Sequence, residues 1–294
     1  MANLKEVRNR ITSVSSTQQI TNAMKMVSAA KLRKAQNAVI ALRPYADKLH
    51  DILKDLCAVA DPSQAAFSTQ RDMKNVLIIA ITSNRGLCGP FNSNVIKLVT
   101  KEANEKYKGH HKVSVISIGK KADEHFKKSE WNIFGSNLPR RLHRLYDNLT
   151  FENVSSIATN LMENYLSGDF DRVVLVYNRF KNASVQILTS EQFLPVLPPE
   201  VDEENKLTTD YIFEPTKEEI VEELIPRSLK IQLYRAVLES YAAEHGARMT
   251  AMHKATDNAT EMLRDLRIKY NKARQAAITN EIIEIVGGAE ALKG

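Results

Sequence analysis

The sequence predicts two long terminal helices that form an antiparallel coiled coil, with an α/β domain inserted between them. Three observations predict this fold class: heptad-spaced apolar residues in the first segment, a second heptad pattern in the last segment, and alternating strand and helix patterns between them. A compact domain cannot contain such helices, because about 70 helical residues span on the order of 100 Å. We assign residues 1–58 and 217–294 to the helices and residues 73–195 to the inserted domain.

The N-terminal helix changes character within residues 17–33. Its seam is apolar before and after this stretch, but four successive seam positions inside it are polar, and an apolar stripe moves to another face. The polar seam positions are Gln18, Thr21, Lys25 and Ser28, and the displaced apolar residues are Ile20, Met24 and Val27. A long coiled coil does not lose four seam positions without a reason. Pro44 could add a kink further along.

The inserted domain alternates strand and helix patterns. Apolar runs predict strands at 75–82, 112–119, 172–178 and 184–190, the last of them at a sheet edge. Amphipathic helices separate the first three, so we expect a mostly parallel, Rossmann-like sheet. Residues 196–216 are a Pro-rich, acidic connector.

The C-terminal helix carries more than seven heptads. Its predicted seam runs from Ile231 to Ile283 and includes His245, Arg248, Met252, Ala255, Ala259, Met262, Leu266, Lys269, Ala273 and Ala276. With the domain inserted between the two helices, the simplest topology is an antiparallel pair.

Composition narrows the function classes. The net charge is +6, and residues 1–56 account for all of it with ten Lys/Arg against four Asp/Glu. Such a basic segment could bind an acidic protein surface or nucleic acid, or it could simply be a solvated face of the coiled coil. Residues 1–44 contain no aromatic residue to stack on bases, so we do not expect nucleic-acid binding. Two cysteines, no secretory signal and no long apolar run predict a soluble intracellular chain without a membrane span.

The sequence offers little catalytic chemistry. The segment SNRGLCGPFN (83–92) follows a strand and opens a helix, where α/β folds bind phosphate, but it lacks the glycine fingerprint and the phosphate-loop lysine. A tight turn with a packed Cys88 fits it better, and Arg85 could contact another chain. His245 and His253 are too far apart for a helical zinc site. We therefore expect no catalytic, cofactor-binding or metal-binding residue.

Five segments, in order, resemble the gamma subunit of F-type ATP synthases. They are AMKMVSAAKLRKAQ (23–36) with RPYA (43–46), ITSNRGLCGPFN (81–92), ARMTAMHKATDNA (247–259), YNKARQAAIT (270–279), and ITNE (278–281) with Glu284 and Gly288-Ala289. The resemblance implies a non-catalytic rotor whose paired helices run up the axis of an alpha–beta hexamer. The inserted domain would sit below, with the epsilon subunit, on the membrane ring of c subunits. Proton-driven rotation would then drive ATP synthesis on the beta subunits and regulate ATPase activity and proton flow.

The resemblance also implies which residues meet the beta subunits. They are Met24, Lys25, Arg85, Arg248, Arg274, Gln275, Thr279 and Glu281. No cysteine pair is inserted in the α/β domain, so the redox switch of the chloroplast form is not expected. The resemblance points to a bacterial-type subunit, peripheral on the cytoplasmic face of the cell membrane and reaching the membrane only through the c-ring.

Two other hypotheses remain open. A free-standing coiled-coil scaffold with a docking domain would self-associate and need no hexamer. If the chain were a nucleotide-binding enzyme using residues 83–92, the isolated chain would bind nucleotide, and Gly86→Val would abolish that binding.

Overall fold

The computed structural model describes residues 4–59, 67–68, 71–109, 112–132, 138–139, 142–196 and 217–291. The chain divides into two compact units, one formed by Met1–Ser28 with Arg248–Gly294 and the other by Ala29–Ala247. This division cuts through both long helices, so the domain ranges given above stay predictions. The doublet His110-His111 and most of the 196–216 connector lie outside the described residues.

The first helix, α1, is Leu4–Val59 and continues through Pro44. The predicted seam holds from Val7 to Leu49: Val7, Leu32, Ala35 and Leu49 are buried, and the seam positions between them are buried or half-buried. In the larger unit, partly buried Leu42 packs against the core. Heptad spacing therefore predicted this face of α1 correctly.

The described part of the inserted segment contains a four-stranded sheet of order β2-β1-β3-β4. Its strands are β1 (Asn75–Ile81), β2 (Lys112–Ile118), β3 (Arg172–Phe180) and β4 (Gln186–Leu194). The first three are parallel and β4 is an antiparallel edge strand. The predicted mostly parallel sheet is confirmed, although β4 begins two residues later than expected and extends to Leu194.

Helices cover both faces of this sheet. On one face lie α2 (Phe91–Lys101, continued by a π-helical turn at Glu102–Lys106) and α3 (Lys120–Phe126). On the other lies α4 (Phe151–Leu166), and that core also holds the first part of α5. Thr150 caps α4 by accepting a hydrogen bond from the Asn153 backbone N–H.

Gly119, between β2 and α3, is a close-packed position. Its φ is +111°, and a Cβ there would lie 2.1 Å from the carbonyl oxygen of Thr82. That same oxygen accepts a hydrogen bond from the Tyr146 hydroxyl at 2.9 Å. Only glycine fits where the ends of β1 and β2 come this close.

The last helix, α5, is Lys217–Ala291. In the smaller unit its seam differs from the predicted one. Met252, Ala259 and Leu266 are buried as expected, but Leu263 is buried where Met262 was predicted and Met262 is exposed. The same one-residue shift exposes Lys269 and Ala276 while Tyr270 and Ala277 are half-buried. The error arises because adjacent apolar residues satisfy two heptad registers equally well.

Among the described residues, none of the helices has a stretch that is both long and apolar enough to cross a membrane.

Candidate functional site

The smaller unit is an antiparallel pair formed by the ends of α1 and α5. The Gln18 side-chain amide donates to the Thr260 hydroxyl at 2.7 Å, and the Thr256 and Thr21 hydroxyl oxygens are 2.9 Å apart. Moving up α1 by three residues therefore means moving down α5 by four, which is the antiparallel arrangement that the sequence predicted.

The polar stretch of α1 stays on the seam. Thr21 and Ser28 are buried, and each hydroxyl donates to a carbonyl of its own helix, of Gln18 at 3.0 Å and of Met24 at 2.8 Å. Because the hydroxyls are satisfied locally, burying them costs little.

The apolar residues of the same stretch face outward. Ile20 is 60% exposed and Val27 is 57% exposed, with Ala23 exposed and Met24 half-buried. Fully burying a side chain such as Ile or Val gains about 1.5–3 kcal/mol, and this unit realises less than half of that. The predicted shift of apolar residues to a second face is confirmed. We call Ile20, Ala23, Met24 and Val27 the outer strip.

A second exposed apolar region ends α5. Residues 278–290 are all exposed. The large apolar side chains among them are Ile278, Ile282, Ile283, Ile285 and Val286. Exposed apolar residues at this density are typical of a surface that another protein covers. The four isoleucines and one valine within residues 278–286 are the sequence signal for this region, and the predicted seam included only Ile283 among them.

The predicted contact residues fall into separate groups. Met24 and Lys25 are half-buried in α1, near the Thr21–Thr256 level. Arg274, by contrast, follows Thr256 by 18 residues, or roughly 27 Å along the helix. Around it Gln275, Thr279 and Glu281 are also exposed, and the Thr279 hydroxyl donates to the carbonyl of residue 275 at 2.9 Å.

Two predicted contacts stand apart. Arg248 is buried, with only 6% of its surface exposed in the free chain. Arg85 is exposed but belongs to the larger unit. The eight contacts with the beta subunits therefore stay predictions.

The 83–92 segment is a rigid turn. The Ser83 hydroxyl donates to the Arg85 carbonyl at 2.7 Å, and the Ser83 N–H donates to the Asn92 side-chain oxygen at 2.9 Å. The Asn92 amide nitrogen lies 3.2 Å from the Cys88 sulfur. Cys88 and Phe91 pack against Ala243 and Ala247 of α5. The predicted tight turn with a packed Cys88 is confirmed.

One residue of this turn has an unusual backbone. Leu87 has φ of +63°, and it is the one non-glycine residue with positive φ in the described ranges. Its side chain is 64% exposed. For an L-residue the left-handed region costs about 1–2 kcal/mol, and bulky residues rarely adopt it. This conformation could not be predicted from the sequence, because the flanking Gly86 and Gly89 allow several turn shapes.

A partly buried polar cluster joins β3, β4 and α5, and sequence reasoning missed it. The Tyr177 hydroxyl donates to Glu191 at 3.0 Å, and Gln232 donates to the other oxygen of that carboxylate. On α5, Arg235 donates to Glu239 at 3.0 Å. Burial, with the neighbouring carboxylates of Glu191 and Glu239, raises the pKa of Tyr177 far above its ordinary value. The cluster ties α5 to the sheet edge.

No metal site emerges in the part of the chain that the structure describes, which has no group of three or more His, Cys, Asp or Glu side chains able to hold an ion.

Comparisons with known proteins give one family. A family model described as ATP synthase matches residues 3–292. The ATP synthase gamma chain of Flavobacterium johnsoniae is 59% identical over 295 residues, and that of Chlorobium phaeobacteroides is 47% identical over 300; each match covers 100% of both chains.

Solved structures agree in fold. A chain of the Euglena gracilis mitochondrial ATP synthase, in a structure of rotational state 3, matches with a TM-score of 0.64 and 22% identity, covering 98% of this chain and 94% of that one. A chain from the central stalk and c-ring of the Tetrahymena thermophila enzyme matches with a TM-score of 0.56 and 22% identity, covering 80% and 99%. At this identity the likeness concerns the fold.

Proposed function

Because the chain belongs to the ATP synthase gamma-chain family, we propose that it is the rotor of the central stalk and has no catalytic site of its own. The observation that supports this most strongly is a match to bacterial gamma chains over the full length of both proteins. A domain shared by unrelated proteins would match only in part.

In this proposal the helix pair turns inside a hexamer of alpha and beta subunits. The outer strip and the exposed 278–290 end supply the apolar surface, and the ten Lys/Arg of residues 1–56 supply positive charge toward acidic loops of beta. Electrostatic attraction of this kind is adjustable and suits a surface that meets three similar partners in turn. Met24 and Lys25 contact beta at one level, and the group around Arg274 does so further along α5.

The remaining partners follow from the same proposal. The α/β domain binds the epsilon subunit and rests on the c-ring, at the cytoplasmic face of the cell membrane. Proton-driven rotation of the ring turns the chain, which forces the beta subunits through different nucleotide affinities. Through the same coupling the chain regulates ATPase activity and proton flow.

The test is reconstitution with purified alpha and beta subunits. ATPase activity is measured with and without this chain, using Met24→Lys as the variant and Ile40→Lys as the matched control. Ile40 lies on the same helix and is exposed, whereas Met24 is half-buried. We expect a stable complex with azide-sensitive multisite hydrolysis, altered by Met24→Lys and not by Ile40→Lys.

The opposite results separate the alternatives. A chain that self-associates and neither assembles with alpha and beta nor stimulates hydrolysis would favour a free-standing scaffold. Nucleotide binding by the chain alone, abolished by Gly86→Val, would favour the nucleotide-binding enzyme.

A further inference from the structure

Positive charge is unevenly placed within the α/β segment. Residues 97–128 hold nine lysines and no arginine against four Asp/Glu, whereas the rest of residues 57–216 holds ten Lys/Arg against fifteen Asp/Glu. The basic stretch covers most of α2, its π-helical turn, β2 and α3. One part of the domain is therefore positively charged, although the segment as a whole is neutral.

The fold brings lysines to the edge of the sheet where the parallel strands begin. Both α2 and α3 follow a strand and run back toward this edge. Lys108 comes directly after the π-helical turn and Tyr107. The Lys112 N–H, at the start of β2, donates to the carbonyl of Lys74 at 3.2 Å, and Lys74 directly precedes β1.

Two more lysines, Lys127 and Lys128, directly follow α3 and lie beside β2. The Asn132 side-chain amide donates to the carbonyl of Lys127 at 2.9 Å, and Asn132 pairs with Val115 of β2. Val115 is three residues from Lys112, or roughly 10 Å along the strand. We call the following five residues the lysine edge: Lys74, Lys108, Lys112, Lys127 and Lys128.

The charge of the lysine edge is not neutralised locally. All five lysines are exposed, and none forms an ion pair with a carboxylate in the ranges that the structure describes. Three nearby carboxylates pair with other lysines of the stretch, namely Glu102, Glu105 and Glu124. Residues 72–74 and 97–130 together hold ten lysines against six Asp/Glu, which leaves a net charge of +4.

Two properties favour a lipid surface over a folded protein as the partner. All cations of the stretch are lysines, which are depleted at protein interfaces, whereas the planar guanidinium of arginine is enriched there. In addition, no large apolar side chain is exposed in the described part of residues 91–132, so this surface lacks the anchors in which a protein interface concentrates its energy. Attraction to anionic headgroups needs no such anchor, because it depends on how many charges lie within about a Debye length of the bilayer.

We propose that the lysine edge binds the anionic lipid headgroups of a bilayer surface. This contact goes beyond the proposed function, in which the chain reaches the membrane through the c-ring alone. Because a bilayer is fluid, attraction to its headgroups favours no single orientation of a turning chain, whereas a contact with a fixed protein would do so.

The experiment measures co-sedimentation of the full-length chain with vesicles of phosphatidylcholine, made with and without phosphatidylglycerol. One variant is Lys108→Glu with Lys112→Glu, and the other is Lys127→Glu with Lys128→Glu. Unfolding midpoints and assembly with alpha, beta and epsilon subunits are measured on the same preparations, so that loss of folding is recognised separately.

The matched control is Lys31→Glu with Lys34→Glu, at two exposed lysines of the basic helix α1. Each pair of changes lowers the formal net charge by four, from +6 to +2, so an effect of net charge alone would be equal in all three variants. A further variant, Lys127→Arg with Lys128→Arg, keeps the charge and changes only the shape of the cation.

We expect the chain to bind the vesicles that contain phosphatidylglycerol and not those of phosphatidylcholine alone. Binding should disappear near 1 M salt, where the Debye length is about 3 Å. Each charge-reversed pair in the lysine edge should raise the lipid concentration for half-maximal binding at least tenfold, while the α1 control and the arginine variant stay within about twofold.

Two results would overturn the inference directly: no binding of the unchanged chain to the anionic vesicles, or an equal loss of binding in the α1 control. Unchanged vesicle binding by the lysine-edge variants, combined with weaker assembly, would also overturn it, because the surface would then bind a protein. Failure of the proposed function is a separate result, in which the unchanged chain binds the vesicles but does not activate alpha and beta subunits.

Discussion

Replacing Gly119 by alanine should be among the most damaging single changes in the α/β domain. The new Cβ would lie 2.1 Å from the Thr82 carbonyl oxygen and 2.6 Å from its carbonyl carbon. Both atoms are backbone, so no side chain can turn away to make room. The clash would also displace the acceptor of the Tyr146 hydroxyl.

The magnitude follows from two terms. Overpacking costs about 1–3 kcal/mol, and a side chain at the φ of +111° adds about 1–2 kcal/mol. We therefore expect the free energy of unfolding to fall by about 2–5 kcal/mol, a large part of the ~5–15 kcal/mol that stabilises a typical protein. At a urea dependence of about 2–3 kcal/mol per molar, the urea midpoint falls by roughly 0.7–2.5 M.

Urea unfolding followed by fluorescence measures this, because Trp131, the single tryptophan, lies beside Phe126 in the same domain. Two glycines serve as controls. Gly109 has φ of +96° with open space around its Cβ position, so Gly109→Ala should cost only the backbone term, and Gly86→Ala, in open space with no such φ, should be close to neutral. If Gly119→Ala came within about 1 kcal/mol of Gly109→Ala, the close approach would not be a constraint and the reasoning would be refuted.

Three further predictions concern other features. Because burial raises the pKa of Tyr177 above its ordinary value, the stabilisation from the neutral phenol is complete below about pH 10 and is lost as pH rises further, by up to about 1.4 kcal/mol per pH unit. Urea unfolding at pH 9, 10 and 11 should show a shallower decline for Tyr177→Phe; an equal decline would contradict this. At Gly246 a Cβ would lie 3.1 Å from the Ala183 carbonyl oxygen, which is a tight contact. Because alanine gains about 1 kcal/mol of helix propensity over glycine, Gly246→Ala should leave the thermal unfolding midpoint nearly unchanged. Gly246→Val, whose side chain is larger, should lower that midpoint. At the exposed end of α5, Ile283→Asp should leave the thermal midpoint of the free chain unchanged but reduce its assembly with alpha and beta subunits in gel filtration, with Ile40→Asp as the control; unchanged assembly would argue against a covered apolar end.

Periodic features could be predicted from the sequence, because the spacing of apolar residues indicates which face of a helix or strand is buried. The seam of α1 was predicted through its polar stretch, and the three parallel strands were found from their apolar runs. In α5 the same method chose Met262 over Leu263, since adjacent apolar residues do not distinguish two registers and only the partner helix decides.

Features built from distant residues could not be predicted in this way. Tyr177, Glu191 and Glu239 meet because β3, β4 and α5 pack together, and nothing local marks any one of them. Leu87 lies in a turn whose first residues are held by distant partners, because the Asn84 amide donates to the carbonyl of His143 and the Asn92 side-chain oxygen accepts from the Ser83 N–H. The burial of Arg248 likewise depends on tertiary packing, which a motif match cannot predict.

The antiparallel register of the smaller unit limits how the gene can change in length. Thr21 meets Thr256 within two continuous helices that have no loop beside them to absorb an extra residue. Deleting one codon between residues 257 and 262 would turn every later side chain of α5 by about 100° and shift it by about 1.5 Å. Leu263 and Leu266 would leave the seam together, so insertions and deletions here should persist only in steps of seven residues.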